Sequence, residues 1–201
     1  MKIICVTGRK LCKNNFFEQI EKICSWKIDA VVLREKDLND GVYEEYAVKC
    51  RKICEKNNVK FFINTKIHIA EKLNIKNIQL SSKDFFDNKD KLNFFEIIAV
   101  SVHSVKEAIE VEKFYESCTC QSSCRFDCFL IAGHIFSTDC KKGLQPKGTD
   151  FLKSVCDNVK LPVFAIGGIN NDTVKYLKNM NIKGVCIMSA LMSAQKFEFK
   201  V

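Results

Sequence analysis

The stretch KIICVTGRKLCKNN, residues 2–15, decides the fold. Its apolar part is continuous rather than alternating, as in a strand buried on both faces of a parallel sheet. No G-x-G-x-x-G follows it, so the dinucleotide-binding form of an open α/β sheet loses its usual signature. Seven further apolar runs follow: DAVVLRE (29–35), KFFINT (60–65), NIQLSS (77–82), EIIAVSV (96–102), FDCFLIAG (126–133), PVFAIGG (162–168) and KGVCIMSA (183–190). Helical segments lie between most of them. NDGVYEEYAVKCRKICEKNN (39–58) is the longest; SVKEAIEVEKFY (104–115) opens with the capping pair Ser104 and Glu107; NDTVKYLKNMN (171–181) spaces Val174, Leu177 and Met180 on neighbouring turns. Strand and helix alternating eight times predict an α/β fold: one (β/α)8 TIM barrel over residues 1–201, with an open doubly wound sheet as runner-up. Only LMSAQKFEFKV follows the eighth run, so the last helix is expected to be short, exposing apolar flanks of strands one and eight that a homodimer could cover.

Composition narrows the function classes. The chain has 201 residues, 47% of them hydrophobic and 28% charged, an ordinary globular balance. The net charge of +8 is spread over scattered lysines with acids among them. That pattern disfavours a nucleic-acid face, which gathers charge with interleaved aromatics. No apolar run approaches the roughly 18 residues of a membrane span, and MKIICVTGRK lacks a signal-peptide layout, so a cytoplasmic location is expected. Twelve cysteines are many, but Cys5, Cys128 and Cys186 fall inside apolar runs, where a thiol acts as a small hydrophobe. Cys118, Cys120 and Cys124 are spaced C-x-C and C-x3-C, unlike paired zinc knuckles, and are expected in a surface insertion.

A barrel turns position into chemistry, because its active site forms where the strands end. The residues there are Arg34, Glu35 and Lys36; Asn64 and Thr65; Gln79 and Ser81; Ser101 and His103; His134 and Thr138; Gly167 and Gly168; and Ser189. Arg34 and Lys36 share one side of an extended chain and suit an anion, unless they are simply a solvated strand end. Gly167 and Gly168, with a helix expected after them and Ser189 and Ala190 nearby, suit a phosphate; a tight turn is the plainer alternative. His68 falls on the outer ring and is expected to be structural, and His103 to serve helix entry. His134 stands at the mouth, and imidazole exchanges protons near neutral pH.

SVHSVKEA (101–108), GHIFSTDCKKGL (133–144), PVFAIGGI (162–169) and GVCIMSA (184–190) together resemble the TenI-type thiazole tautomerases, close relatives of thiamine phosphate synthase. The likeness spans almost the whole chain and is densest over 99–193. It implies a barrel of thiamine biosynthesis, with His134 as the acid–base residue that aromatises a carboxythiazole phosphate. The phosphate would be held by Gly167, Gly168 and Ser189, with no metal or organic cofactor. The synthase joins a pyrimidine pyrophosphate to a thiazole phosphate with Mg²⁺. Of its pattern, Arg34, Lys36, Asn64, Ser101, Thr138 and Lys141 remain. Val32 replaces a glutamine, Thr65 a metal-binding aspartate, Cys140 a threonine and His134 a proline; Asp84 could stand for the other carboxylate. The tautomerase is therefore the expected activity, with the synthase as alternative and a non-catalytic binder of thiazole or thiamine phosphate as a third.

Overall fold

In the computed structural model, residues 1–120, 125–138 and 143–196 are described. Eight parallel strands form a closed barrel in sequence order. They are β1 (Lys2–Val6), β2 (Ala30–Leu33), β3 (Lys60–Asn64), β4 (Asn77–Ser81), β5 (Ile97–Val102), β6 (Asp127–Gly133), β7 (Val163–Ile166) and β8 (Gly184–Ile187). The register closes through β1 and β8, with Ile4 opposite Cys186. All eight apolar runs of the sequence are strands.

The continuous apolar runs have a direct cause. Side chains alternate across a strand, and both faces of this sheet are buried. Ile4, Val6, Ala30, Val32, Phe62, Ala99, Ile131, Phe164 and Cys186 fill the barrel interior. Their neighbours Cys5, Val31, Leu33, Ile63, Ile78, Val100, Leu130, Ala165 and Val185 pack outward against the helices. Burial pushes the Cys5 and Cys186 thiols up, keeping them protonated fillers of the core.

The outer ring comprises α1 (Phe16–Ser25), α2 (Asp40–Lys56), α3 (Ile67–Lys72), α4 (Ser82–Asp87), α5 (Val105–Cys120), α6 (Gly148–Asn158) and α7 (Ser189–Met192). Local chemistry starts them. The Asn15 side chain accepts from Phe17 and Glu18 N–H, and Asn39 from Val42 N–H. The expected box at Ser104 is present: Glu107 N–H donates to Ser104 Oγ at 3.1 Å. The Glu107 carboxylate reaches back one residue further, to His103 N–H at 2.9 Å.

Three expectations are corrected. No α-helix follows β7; a 3-10 turn over Val174–Leu177 takes its place. Val174 and Leu177 are buried as their spacing predicts. The Asn170 side chain, however, accepts from Asp172 and Thr173 N–H and offers the backbone a turn instead of a helix. Cys118 and Cys120 sit on the last turn of α5 rather than in a surface insertion, while Cys124 lies outside the described residues. Finally, α7 is short as expected, yet the flanks of β1 and β8 are not left bare. Cys5 and Val185 are 0% exposed, Met192 contacts Cys5, and Gln19 of α1 donates to the Leu191 and Ala194 carbonyls. The reason given for a dimer therefore falls away. No helix among the described residues is long and apolar enough to cross a membrane.

Candidate active site

At the C-terminal ends of the strands lies a pocket of about 620 Å³. Arg34, Lys36, Asn64, Asp84, Ser101, His134, Thr138, Gly167, Gly168 and Ser189 all line it. Ala190 does not; its methyl group packs on the outer core. Lys141 lies outside the described residues.

One wall is cationic. Arg34 is half-buried and Lys36 exposed. The only acid between them, Glu35, turns away and is 4% exposed. It accepts from Thr7 Oγ1 at 2.7 Å and from Arg9 N–H at 2.9 Å. Among the described ion pairs Arg34 and Lys36 have none, so both charges remain open to an anion.

The floor is polar and runs across three strands. Asn64 Nδ2 donates to the Gln79 side-chain oxygen, and Gln79 Nε2 donates to Ser101 Oγ at 2.7 Å. Tyr43, 1% exposed, braces this floor from α2: its hydroxyl donates to the Leu33 carbonyl at 2.6 Å and accepts from Asn64 N–H at 3.3 Å. Burial raises the Tyr43 phenol well above its ordinary value, so it stays a donor.

Another wall is the glycine pair, and its conformation explains the sequence. Gly167 has φ 103° and Gly168 φ 66°. A Cβ on Gly167 would overlap Cα and Cβ of His134; one on Gly168 would overlap the Ser137 carbonyl. The segment after β6 runs directly against these glycines, with Ile135 N–H on the Ile166 carbonyl at 2.9 Å and Phe136 N–H on the Gly167 carbonyl at 3.0 Å. The plainer of the two alternatives holds, since the turn is tight; among the described hydrogen bonds the Gly167 and Gly168 N–H groups donate to none.

His134 is at the mouth but faces inward. It is 6% exposed. Its Nε2 lies 3.4 Å from the Leu144 carbonyl, to which it can donate only as the Nε2-protonated ring. Nδ1 is buried without a hydrogen-bond partner. His134 nonetheless lines the pocket. His103 lines it too, its Nδ1 donating to the Gly133 carbonyl at 2.7 Å. His68 is exposed on the outer ring and pairs with Asp40, as a structural residue would.

Two carboxylates line the pocket, Glu35 and Asp84. Glu35 is engaged with Thr7 and Arg9. Asp84 accepts from Ser81 Oγ at 2.6 Å through one oxygen, which leaves the other available. Among the described residues no cluster of three His, Cys, Asp or Glu could hold a metal by itself. Mg²⁺, however, is ordinarily held by one or two carboxylates plus substrate phosphates and water, and Asp84 with the Asn64 and Thr65 oxygens fits that incomplete set.

Sequence reasoning placed Glu35 and Gln79 at the mouth without giving them a role, and it missed Thr7 and Tyr43. Gln79 had a visible signal as a lone amide within the apolar run NIQLSS. Tyr43 had none, since its helix offers a second tyrosine, Tyr46, three residues on.

A closed barrel of eight parallel strands with its pocket over their C-terminal ends is a (β/α)8 TIM barrel with the layout of that fold's enzymes. The chain belongs to the thiamine monophosphate synthase family, whose model matches residues 3–191. It is similar to a thiamine-phosphate synthase of Clostridium acetobutylicum, 31% identical over 99% of this chain and 90% of the relative. One from Fusobacterium nucleatum is 29% identical over 96% and 89%. Among solved structures, thiamine phosphate pyrophosphorylase from Pyrococcus furiosus superposes with a TM-score of 0.76 at 25% identity, covering 96% of this chain and 88% of that one. The expected resemblance holds at the level of the family, and these relatives carry the synthase name rather than the tautomerase name.

Proposed function

We propose that this protein is a thiamine phosphate synthase, joining hydroxymethylpyrimidine pyrophosphate to thiazole phosphate with release of pyrophosphate. The observation that carries this reading is that Arg34, Lys36 and the Gly167–Gly168 turn line one pocket, two places at which an anion could be held. A coupling reaction must hold a pyrophosphate and a phosphate at once, and the two places lie in the same pocket. The names of the relatives support the same choice.

In this reading Arg34 and Lys36 hold the pyrophosphate, and Gly167, Gly168 and Ser189 the thiazole phosphate. Holding both substrates in one pocket turns a two-body encounter into an aligned displacement. The C–O bond to pyrophosphate breaks as the thiazole nitrogen bonds to the same methylene carbon, and the electron pair leaves with the pyrophosphate. The two cations stabilise the charge that develops there. Asp84, with Asn64 and Thr65, would hold Mg²⁺, which when bound neutralises the leaving group. The Asn64–Gln79–Ser101 strip fixes the floor under the reacting ring.

The test is to supply both substrates with Mg²⁺ and measure thiamine phosphate and pyrophosphate in equal amounts. Formation of both, reduced in Arg34→Ala, supports the synthase. No coupling product, with aromatisation of the non-aromatic carboxythiazole phosphate by the metal-free protein, would return the assignment to the tautomerase.

A further inference from the structure

We infer that Thr7 and Glu35 form a positioning relay that sets the cationic wall. This rests on the reading above that Arg34 and Lys36 take the pyrophosphate. Thr7 is 0% exposed at the end of β1 and Glu35 is 4% exposed at the end of β2, so water competes with neither. Arg34 N–H donates to Thr7 Oγ1 at 2.9 Å, and the same hydroxyl donates its only proton to Glu35 Oε1 at 2.7 Å. Glu35 Oε1 also accepts from Arg9 N–H at 2.9 Å. The order is forced. A carboxylate only accepts, so the Thr7 proton must point at Glu35, and its lone pair must then face Arg34 N–H.

The relay does two things for the wall. It fixes the Arg34 backbone, and with it the root of the guanidinium, to the rigid end of β1 rather than to a loop. It also draws the one acid of the Arg34–Glu35–Lys36 triplet sideways, towards Arg9, whose guanidinium lies 3.6 Å from Glu35 Oε2. Were Glu35 released, its carboxylate could fold onto Arg34 or Lys36 and neutralise the charge the anion needs. Arg9 is kept beside it by Asp37, which accepts from both terminal nitrogens of Arg9. Neither Thr7 nor Glu35 is assigned contact with the substrate; they act through Arg34 and Lys36.

The experiment titrates inorganic pyrophosphate with Mg²⁺ into the full chain by calorimetry. It compares the unsubstituted protein with Thr7→Val, Thr7→Ser and Glu35→Gln, and records the melting temperature of each. Valine keeps the β-branched shape and deletes the hydroxyl, so pyrophosphate affinity is expected to fall by about tenfold or more, a loss in the range a displaced anchor causes. Serine restores the hydroxyl and is expected to restore affinity. Glutamine keeps an acceptor for Thr7 and is expected to bind at least as well as the unsubstituted protein. In steady-state assays the Thr7→Val loss should fall on KM for the pyrophosphate substrate more than on kcat. A lower melting temperature with equal affinity in all folded variants would overturn the relay while leaving the pyrophosphate site standing. No pyrophosphate binding by the unsubstituted protein would overturn the site itself. Should Thr7→Val not fold, weaker binding by Glu35→Gln would overturn the relay, and undiminished binding with full affinity in Thr7→Ser would support it.

Discussion

Replacing Tyr43 by Phe removes one oxygen from the interior and nothing else. The hydroxyl bridges two strand ends, donating to the Leu33 carbonyl at 2.6 Å and accepting from Asn64 N–H at 3.3 Å. At 1% exposure no water can replace it, so a carbonyl and an N–H lose a partner where desolvation has already been met. An unsatisfied buried group costs about 1–3 kcal/mol; the 3.3 Å contact is the weaker, which places the total near ~2 kcal/mol. For a chain of this size each kcal/mol lowers Tm by roughly 2–4 °C, so differential scanning calorimetry should show a fall of about 4–8 °C. Because Leu33 precedes Arg34 and Asn64 lies on the floor, the variant should also bind pyrophosphate more weakly. A Tm within about 1 °C of the unsubstituted protein would refute the claim that this hydroxyl is the brace between α2 and the mouth.

Other substitutions test the remaining walls. Gly168→Ala forces a side chain into φ 66° against the Ser137 carbonyl and should destabilise by more than about 1 kcal/mol, measured by urea unfolding. Asp84→Asn should raise the Mg²⁺ concentration needed for half-maximal coupling while leaving Tm nearly unchanged; an unaltered Mg²⁺ dependence would remove Asp84 from the site. Hydrogen bonds from Lys10 and then Arg9 hold the Asp37 carboxyl down to about 2, from an ordinary 3.8. A depressed folded value means the contribution is present above the ordinary value and is lost as pH falls towards 2, so Tm should decline less steeply across that window in Asp37→Asn than in the unsubstituted protein. His134→Asn should retain coupling activity, since displacement of pyrophosphate by the thiazole nitrogen needs no proton from this ring; loss of thiamine phosphate formation in the folded variant would refute it.

The barrel was legible because its strands are buried on two faces, and a run such as VVL or FFI, far too short to cross a membrane, has no other easy use. The mouth was legible for the same reason: once β2 ends at Leu33, Arg34 and Lys36 have only one place to be. What the sequence hid was direction. Nothing in LREKD says that Glu35 turns back to Thr7, because that partner lies on another strand. Nothing in GHIF says that His134 folds under Leu144, because burial of an imidazole depends on the segment that covers it. The missing helix after β7 was masked by correct apolar spacing at Val174 and Leu177. That spacing reports what is buried, while the asparagines around it govern which turn the backbone makes.

The close packing of Gly167 against residue 134 has a consequence for how such a site can change. The overlap a side chain at 167 would meet includes the Cα of His134, so glycine is required there whatever side chain residue 134 carries. The path of the main chain after β6 is held by the glycines, while the identity of the group at 134 is not. That position is thus an interchangeable fitting on a fixed frame, where the side chain can change while the glycine beside it cannot.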